Sequence, residues 1–177
     1  MKSLIGFEAP NFVAQAVKNG EIIDIQLVDF RGKFVVLMFY PMDFTFVCPT
    51  ELLALEERMK DFKERNCEVL AISVDSVYTH RAWWERDLKE VTYPIVSDIA
   101  KTISHSYGTH MDKGISLRGT FIIDADGIVQ HLSMNNLGIG RSVDEVIRLL
   151  DAIQFNKLHG DVCPANWHKG KPGIKPS

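Results

Sequence analysis

The 177-residue chain is 46% hydrophobic and 24% charged, which suits one globular domain with a real core and excludes a disordered, collagen-like or coiled-coil chain. Lys and Arg number 20 against 23 Asp and Glu, a net charge of −3 that gives no global pull toward nucleic acid or an anionic membrane. The longest apolar run, Phe34 to Tyr40, is far shorter than the roughly 20 residues that span a bilayer.

At the start, Lys2 is followed only by Leu4, Ile5 and Phe7 before Glu8, which is no secretion signal. Residues 1–33 read as extended pieces broken by Pro10, Gly20 and Gly32, with Asn19-Gly20 as a hairpin turn between Phe12–Val17 and Ile22–Leu27. Phe34–Tyr40, stopped by Pro41, predicts a strand buried on both faces. Leu52, Leu55, Met59 and Phe62 recur at helical spacing and predict one amphipathic helix. Val69–Val74 is a second buried strand, and Ser76 caps a helix carrying Trp83, Trp84 and Leu88. Tyr93–Val96 reads as a short strand before a brief helix that Gly108 ends.

Thr120–Ile123 and Ile128–Leu132 flank Asp126-Gly127, a second hairpin. Ser142-Val143-Asp144-Glu145 is a capping box opening a helix with Val146, Leu149, Leu150 and Ile153 inward. Strands alternating with helices imply an α/β layered domain, and the last hairpin makes its sheet mixed. From His159 the periodicity stops and Gly and Pro recur, so a poorly packed arm is expected. The boundaries are therefore 1–158 for the domain and 159–177 for the arm.

With no bilayer-length apolar run and no secretion signal the protein is expected to be cytoplasmic, where three cysteines make no disulfide framework, and an odd, sparse set raises the question whether a thiol is reactive. Cys48 lies between a buried strand and a helix start, with Pro49 fitting the first turn. A helix N-terminus carries partial positive charge and free N–H groups, which favour a thiolate. Thr45, three residues earlier, can turn its hydroxyl to the sulfur. By itself this position also suits a small buried apolar residue. Arg118 alone reads equally as a surface cation, and Cys163 as a tail cysteine without a role.

Pro41, Thr45 and Cys48 match the P-x-x-x-T-x-x-C signature of peroxiredoxins, and Val47-Cys48-Pro49-Thr50-Glu51 resembles the V-C-P-T-E of their typical two-cysteine subgroup. Arg118–Asp124, Gly140–Glu145 and His159–Ala165 extend the resemblance over essentially the whole chain. The likeness implies a thioredoxin-like fold: a central mixed sheet flanked by helices, with an N-terminal hairpin and an extended C-terminal tail. It implies a thiol peroxidase similar to bacterial alkyl hydroperoxide reductase peroxidase subunits, acting on hydrogen peroxide and organic hydroperoxides.

By the same resemblance Cys48 is peroxidatic and forms a sulfenic acid. Thr45, Arg118 and the nearby backbone hold the peroxide, Pro41 shields the pocket and Glu51 orients the arginine. Cys163 matches the resolving cysteine, paired with Cys48 of the other subunit of a homodimer, and ring-shaped decamers fit the same family. Arg141 falls in the glycine-arginine block and suggests a supporting charge network. Cys67 matches no catalytic block and reads as structural.

No cofactor is expected, because no phosphate loop or flavin fingerprint follows a strand, so electrons must come from a thioredoxin or a dedicated flavoprotein disulfide reductase. His159, Cys163 and His168 are too few and too loosely spaced for a zinc site. A C-x-x-C oxidoreductase is excluded because Glu51 stands at the second cysteine position. Holdase activity of an oligomer is the alternative function. Leu88–Tyr93 occupies the region where overoxidation-sensitive relatives insert Gly-Gly-Leu-Gly, and the sequence stops at Ser177 without their C-terminal helix. Resistance to hyperoxidation is therefore expected.

Overall fold

Asn19 and Gly20 take left-handed angles, φ 51° and 81°, and close the predicted hairpin of β1 (Val13–Lys18) and β2 (Glu21–Gln26). This is the geometry that matches the twist of paired strands. The computed structural model describes residues 3–177; Met1 and Lys2, where the N-terminal reading began, lie outside the described residues. A 3-10 turn at Leu27–Phe30 leads to β3 (Phe34–Phe39).

After β3 come α1 (Cys48–Glu57), α2 (Met59–Glu64) and β4 (Cys67–Ser73). Next are α3 (Val77–Asp87), β5 (Ile95–Ser97) and α4 (Thr102–Ser106). The chain ends its regular structure with β6 (Arg118–Ile123), β7 (Val129–Asn135) and α5 (Val143–His159). The single helix expected over Leu52–Phe62 is two. At Arg58 the backbone leaves helical angles (φ −107°, ψ 11°) and its N–H bonds Leu55 O at 3.1 Å. That tighter turn breaks the period, and Met59 and Phe62 are both buried beyond it.

The strands form one sheet in the order β2-β1-β5-β4-β3-β6-β7. β3, β4 and β5 run parallel and the remaining pairs antiparallel, so the sheet is mixed as expected. The N-terminal hairpin joins it through Ala16 opposite Val96 and Val17 opposite Ile95. Val35–Phe39 and Val69–Ile72 are buried on both faces, which is why each reads as a continuous apolar run. Leu37, Phe39, Leu70, Ile72, Phe121 and Ile123 belong to one core, at about 1.5–3 kcal/mol for each large side chain removed from water. This rigid centre carries the C-terminal end of β3 to the start of α1, and Arg118 at the start of β6.

The chain forms two compact units divided between Arg141 and Ser142. In the second, Ser142 Oγ accepts from Glu145 N at 3.2 Å, as the capping box requires. The buried face of α5 is Val143, Val146, Ile147 and Leu150, whereas Leu149 and Ile153 are half-buried. Gly160, φ 73°, ends the helix.

The poorly packed arm expected after His159 is instead ordered against its own helix. Trp167 is 3% exposed, 4.8 Å from the Phe155 ring, and donates to Lys171 O at 2.9 Å. Val162 and Ile174 exchange two backbone hydrogen bonds of 2.9 Å, and Arg148 Nη1 donates to Trp167 O at 2.8 Å. A single aromatic anchor with local hydrogen bonds has no period, so pattern reading does not detect it. Among the described residues no helix is long and apolar enough to cross a membrane.

Candidate active site

Pro41 ends the apolar run of β3, and the chain crosses to α1 through an irregular segment, 41–47. Cys48 is the first residue of α1, Pro49 follows in the first turn, and the sulfur-bearing residue is fully buried. Facing it from β6, Arg118 places Nη1 3.3 Å from Cys48 Sγ. The same Nη1 donates to Glu51 Oε2 at 2.9 Å, while Nε and Nη2 donate to Leu137 O at 2.8 and 2.6 Å. The guanidinium is thus fixed in plane, with one edge turned to the sulfur.

Glu51 sits one helical turn after Cys48, so both project from the same side of α1. Its carboxylate also accepts from Arg141: Nε and the main-chain N to Oε1 at 2.8 and 3.0 Å, and Nη2 to Oε2 at 2.9 Å. Arg141 Nη1 donates to Gly119 O at 2.8 Å. The three charged side chains are only 3–5% exposed. Two guanidiniums against one carboxylate leave one buried positive charge in excess beside the Cys48 sulfur. A sulfur anion beside a fixed donor at the end of a helix can act as a nucleophile on a small electrophile.

Of the residues singled out from sequence, Cys48, Glu51 and Arg118 meet in this cluster. Pro41 is buried at the mouth of the segment. Thr45 does not turn its hydroxyl to the sulfur: Oγ1 donates back to Met42 O at 2.9 Å, a local turn that competes for the proton. Arg141, read from sequence only as a supporting charge, binds Glu51 on both oxygens; no spacing in the chain announces a contact between positions 51 and 141.

Cys163 lies in the second unit, half-buried, with Sγ 3.5 Å from Ala152 O. Burial pushes its thiol above the ordinary value, opposed by the Arg148 charge. Burial raises Cys67 far more, which suits a thiol without chemistry. A second buried cluster went unread in the sequence: Asp43 Oδ2 lies 2.6 Å from His80 Nδ1 and Oδ1 accepts from Tyr40 OH at 2.6 Å. A histidine four residues after the Ser76 cap was the available signal, but it looks like any core-facing helix position.

A buried thiol at a strand-to-helix junction, held against an arginine, is an arrangement suited to thiol-based redox chemistry. Residues 5–132 match the AhpC/TSA family, and residues 152–177 match the C-terminal domain of 1-Cys peroxiredoxin. The chain is 50% identical over 180 residues to 2-Cys peroxiredoxin BAS1, chloroplastic, of Hordeum vulgare, covering 98% of this chain and 86% of that protein. It is 49% identical over 183 residues to the thioredoxin peroxidase of Echinococcus granulosus, covering 100% and 95%. The solved structure of Plasmodium vivax 2-Cys peroxiredoxin, reduced, superposes with a TM-score of 0.97 at 49% identity, over 99% of this chain and 95% of that one. The chain belongs to the AhpC/TSA family of peroxiredoxins and has their thioredoxin-like fold.

Proposed function

We propose that the chain is a two-cysteine thiol peroxidase for hydrogen peroxide and small organic hydroperoxides. The observation that carries this reading is the Arg118 Nη1–Cys48 Sγ approach of 3.3 Å inside a buried cluster with one positive charge in excess. The Cys48 thiolate attacks one peroxide oxygen, an S–O bond forms and the O–O bond breaks. Sulfur is oxidised to the sulfenic acid by two electrons, and the leaving oxygen departs as alkoxide or hydroxide and takes a proton. Negative charge moves from sulfur to oxygen, so a donor reaching both atoms lowers the barrier. Arg118 is that donor, Glu51 fixes it, Pro41 walls the pocket, and Thr45 exchanges its bond to Met42 O for one to the peroxide.

Cys163 is the resolving thiol in this proposal. Its sulfur attacks Cys48 of a second subunit, a disulfide forms and water leaves. A dithiol partner of the thioredoxin type, or a flavoprotein disulfide reductase, then returns both thiols. The relative named thioredoxin peroxidase supports the first. The functional unit is a homodimer, with decamers as a further assembly. Residues 159–177 act as an arm on a 1–158 domain in this proposal, with Gly160 the point where α5 ends and the tail begins. Two free thiols in a catalytic cycle, with Cys67 free as well, suit a reducing compartment such as the cytoplasm.

The test is peroxide consumption by pre-reduced protein. Wild type is expected to consume one equivalent rapidly without added reductant and many with a thioredoxin system, whereas Cys48→Ser consumes none. Equal consumption by both would refute the reading.

A further inference from the structure

The segment that delivers Cys48 to its helix is strained and tied down at one residue. Phe44 has φ 56°, a left-handed conformation that a bulky side chain adopts only where its surroundings impose it. Its ring rests 5.9 Å from Trp83 and beneath the Arg86 guanidinium at 4.5 Å. The preceding residue, Asp43, is 5% exposed and anchors the segment by three contacts. Its main-chain N donates to Asp75 Oδ2 at 2.9 Å, Oδ1 accepts from Tyr40 OH at 2.6 Å, and Oδ2 meets His80 Nδ1 at 2.6 Å. The Thr45 hydroxyl donates to Met42 O at 2.9 Å, within the segment.

His80, fully buried on α3, is the fixed side of this anchor. Its Nε2 lies 3.1 Å from Val96 O, and a carbonyl only accepts, so Nε2 carries a hydrogen. Nδ1 then faces a carboxylate oxygen at a distance too short for two lone pairs, so the pair shares one proton. Burial raises the Asp43 carboxyl above its ordinary range, which helps keep that proton in place. Of the other groups facing the pair, Tyr40 OH is raised by burial and stays protonated, and Asp75 accepts from Ser73 Oγ at 2.6 Å. Asp43, Asp75 and His80 bring ligand atoms within 4.8 Å of one another, but these side chains already hold hydrogen bonds. The set is a clamp, not an open cage for a metal ion.

Cys48 ends the same segment with no exposed surface. A sulfur so placed cannot approach a second sulfur to a bond length of about 2.05 Å without leaving its site. The segment that must give way is the one Asp43 anchors. Resting on the peroxidase reading above, we propose that His80 is a positioning residue: through Asp43 it latches the strained 41–47 segment in the peroxide-reactive form, and release of that latch lets Cys48 emerge to form its disulfide. The strain at Phe44 favours opening once the Asp43–His80 contact parts.

Two variants separate the contacts of the ring. His80→Gln carries an amide toward Val96 O and removes the partner of Asp43 Oδ2; His80→Asn puts an amide nitrogen where Nδ1 stands and keeps the bond to Asp43. Rapid-quench kinetics on the reduced full chain with one equivalent of hydrogen peroxide give the sulfenylation rate and the later disulfide rate separately. For His80→Gln the first is expected to fall about 10- to 100-fold, as misplaced reacting groups do, while the second holds or rises. His80→Asn is expected to recover most of the first rate.

A uniform fall of both rates in His80→Gln, or no change in either, would overturn the latch. If His80→Gln does not fold, imidazole proton NMR of wild type decides. The shared Asp43–His80 proton is expected in the reduced protein and lost in the disulfide form, and its persistence there would overturn the proposal. Wild type that fails to react with peroxide at all would remove the peroxidase reading, and the latch with it.

Discussion

In the proposed reaction Arg118 and Glu51 set the surroundings of the Cys48 sulfur at the level of single side chains. Arg118 has three of its nitrogens committed, to Leu137 O and Glu51, so the guanidinium cannot swing away from the sulfur. Arg118→Met removes the donor and the charge. The rate of sulfenic acid formation is expected to drop by about 10²–10³, the usual loss for one fixed transition-state donor, with a fold intact by circular dichroism. Stopped-flow measurement of the peroxide reaction reads this directly.

Glu51 is different, because its loss leaves two guanidiniums facing each other in a buried site. Glu51→Gln is expected to destabilise the protein by about 3–5 kcal/mol, the range for breaking a buried ion pair. A denaturant midpoint shifted no further than that of an exposed control such as Glu57→Gln would contradict the cluster's role.

At the scale of elements, the arm from Gly160 onward and the helix it rests on form one device. Burial raises the Cys163 thiol above its ordinary 9.0, so the folded arm binds that proton more tightly than the unfolded arm does. The stabilisation is therefore present below pH 9.0 and lost as pH rises through the raised value. Cys163 in reduced protein is expected to alkylate more slowly at pH 8 than the same thiol in a peptide of residues 159–177, and the gap should close at higher pH. Equal rates at pH 8, followed by mass spectrometry, would mean the arm offers no protection.

β3, β4 and both hairpins are legible in the sequence because those segments obey a period or carry a fixed turn. The break at Arg58, where one main-chain bond shifts from one carbonyl to another, and the packing of Trp167, a single anchor, leave no such pattern.

For the whole molecule, the sheet carries β3 and β6 side by side, and that pairing puts Cys48 and Arg118 within reach across 70 positions. The motif around Cys48 was legible because seven residues, Pro41, Thr45 and Val47 to Glu51, stand in fixed order. The contacts of Arg141 with Glu51, 90 positions away, and of His80 with Asp43, 37 away, were not. Each depends on how distant elements pack, and a lone arginine or histidine has no signature in a single sequence. The same holds for Thr45: its position was legible, but the bond to Met42 O was not.

The most direct measurement adds one equivalent of hydrogen peroxide to reduced protein, quenches with an alkylating agent, and maps peptides from a non-reducing gel. A crosslinked dimer carrying a Cys48–Cys163 bond is expected, absent in Cys48→Ser, with Cys67 still alkylatable after unfolding. A folded protein whose Cys48 stays reduced under these conditions would contradict it.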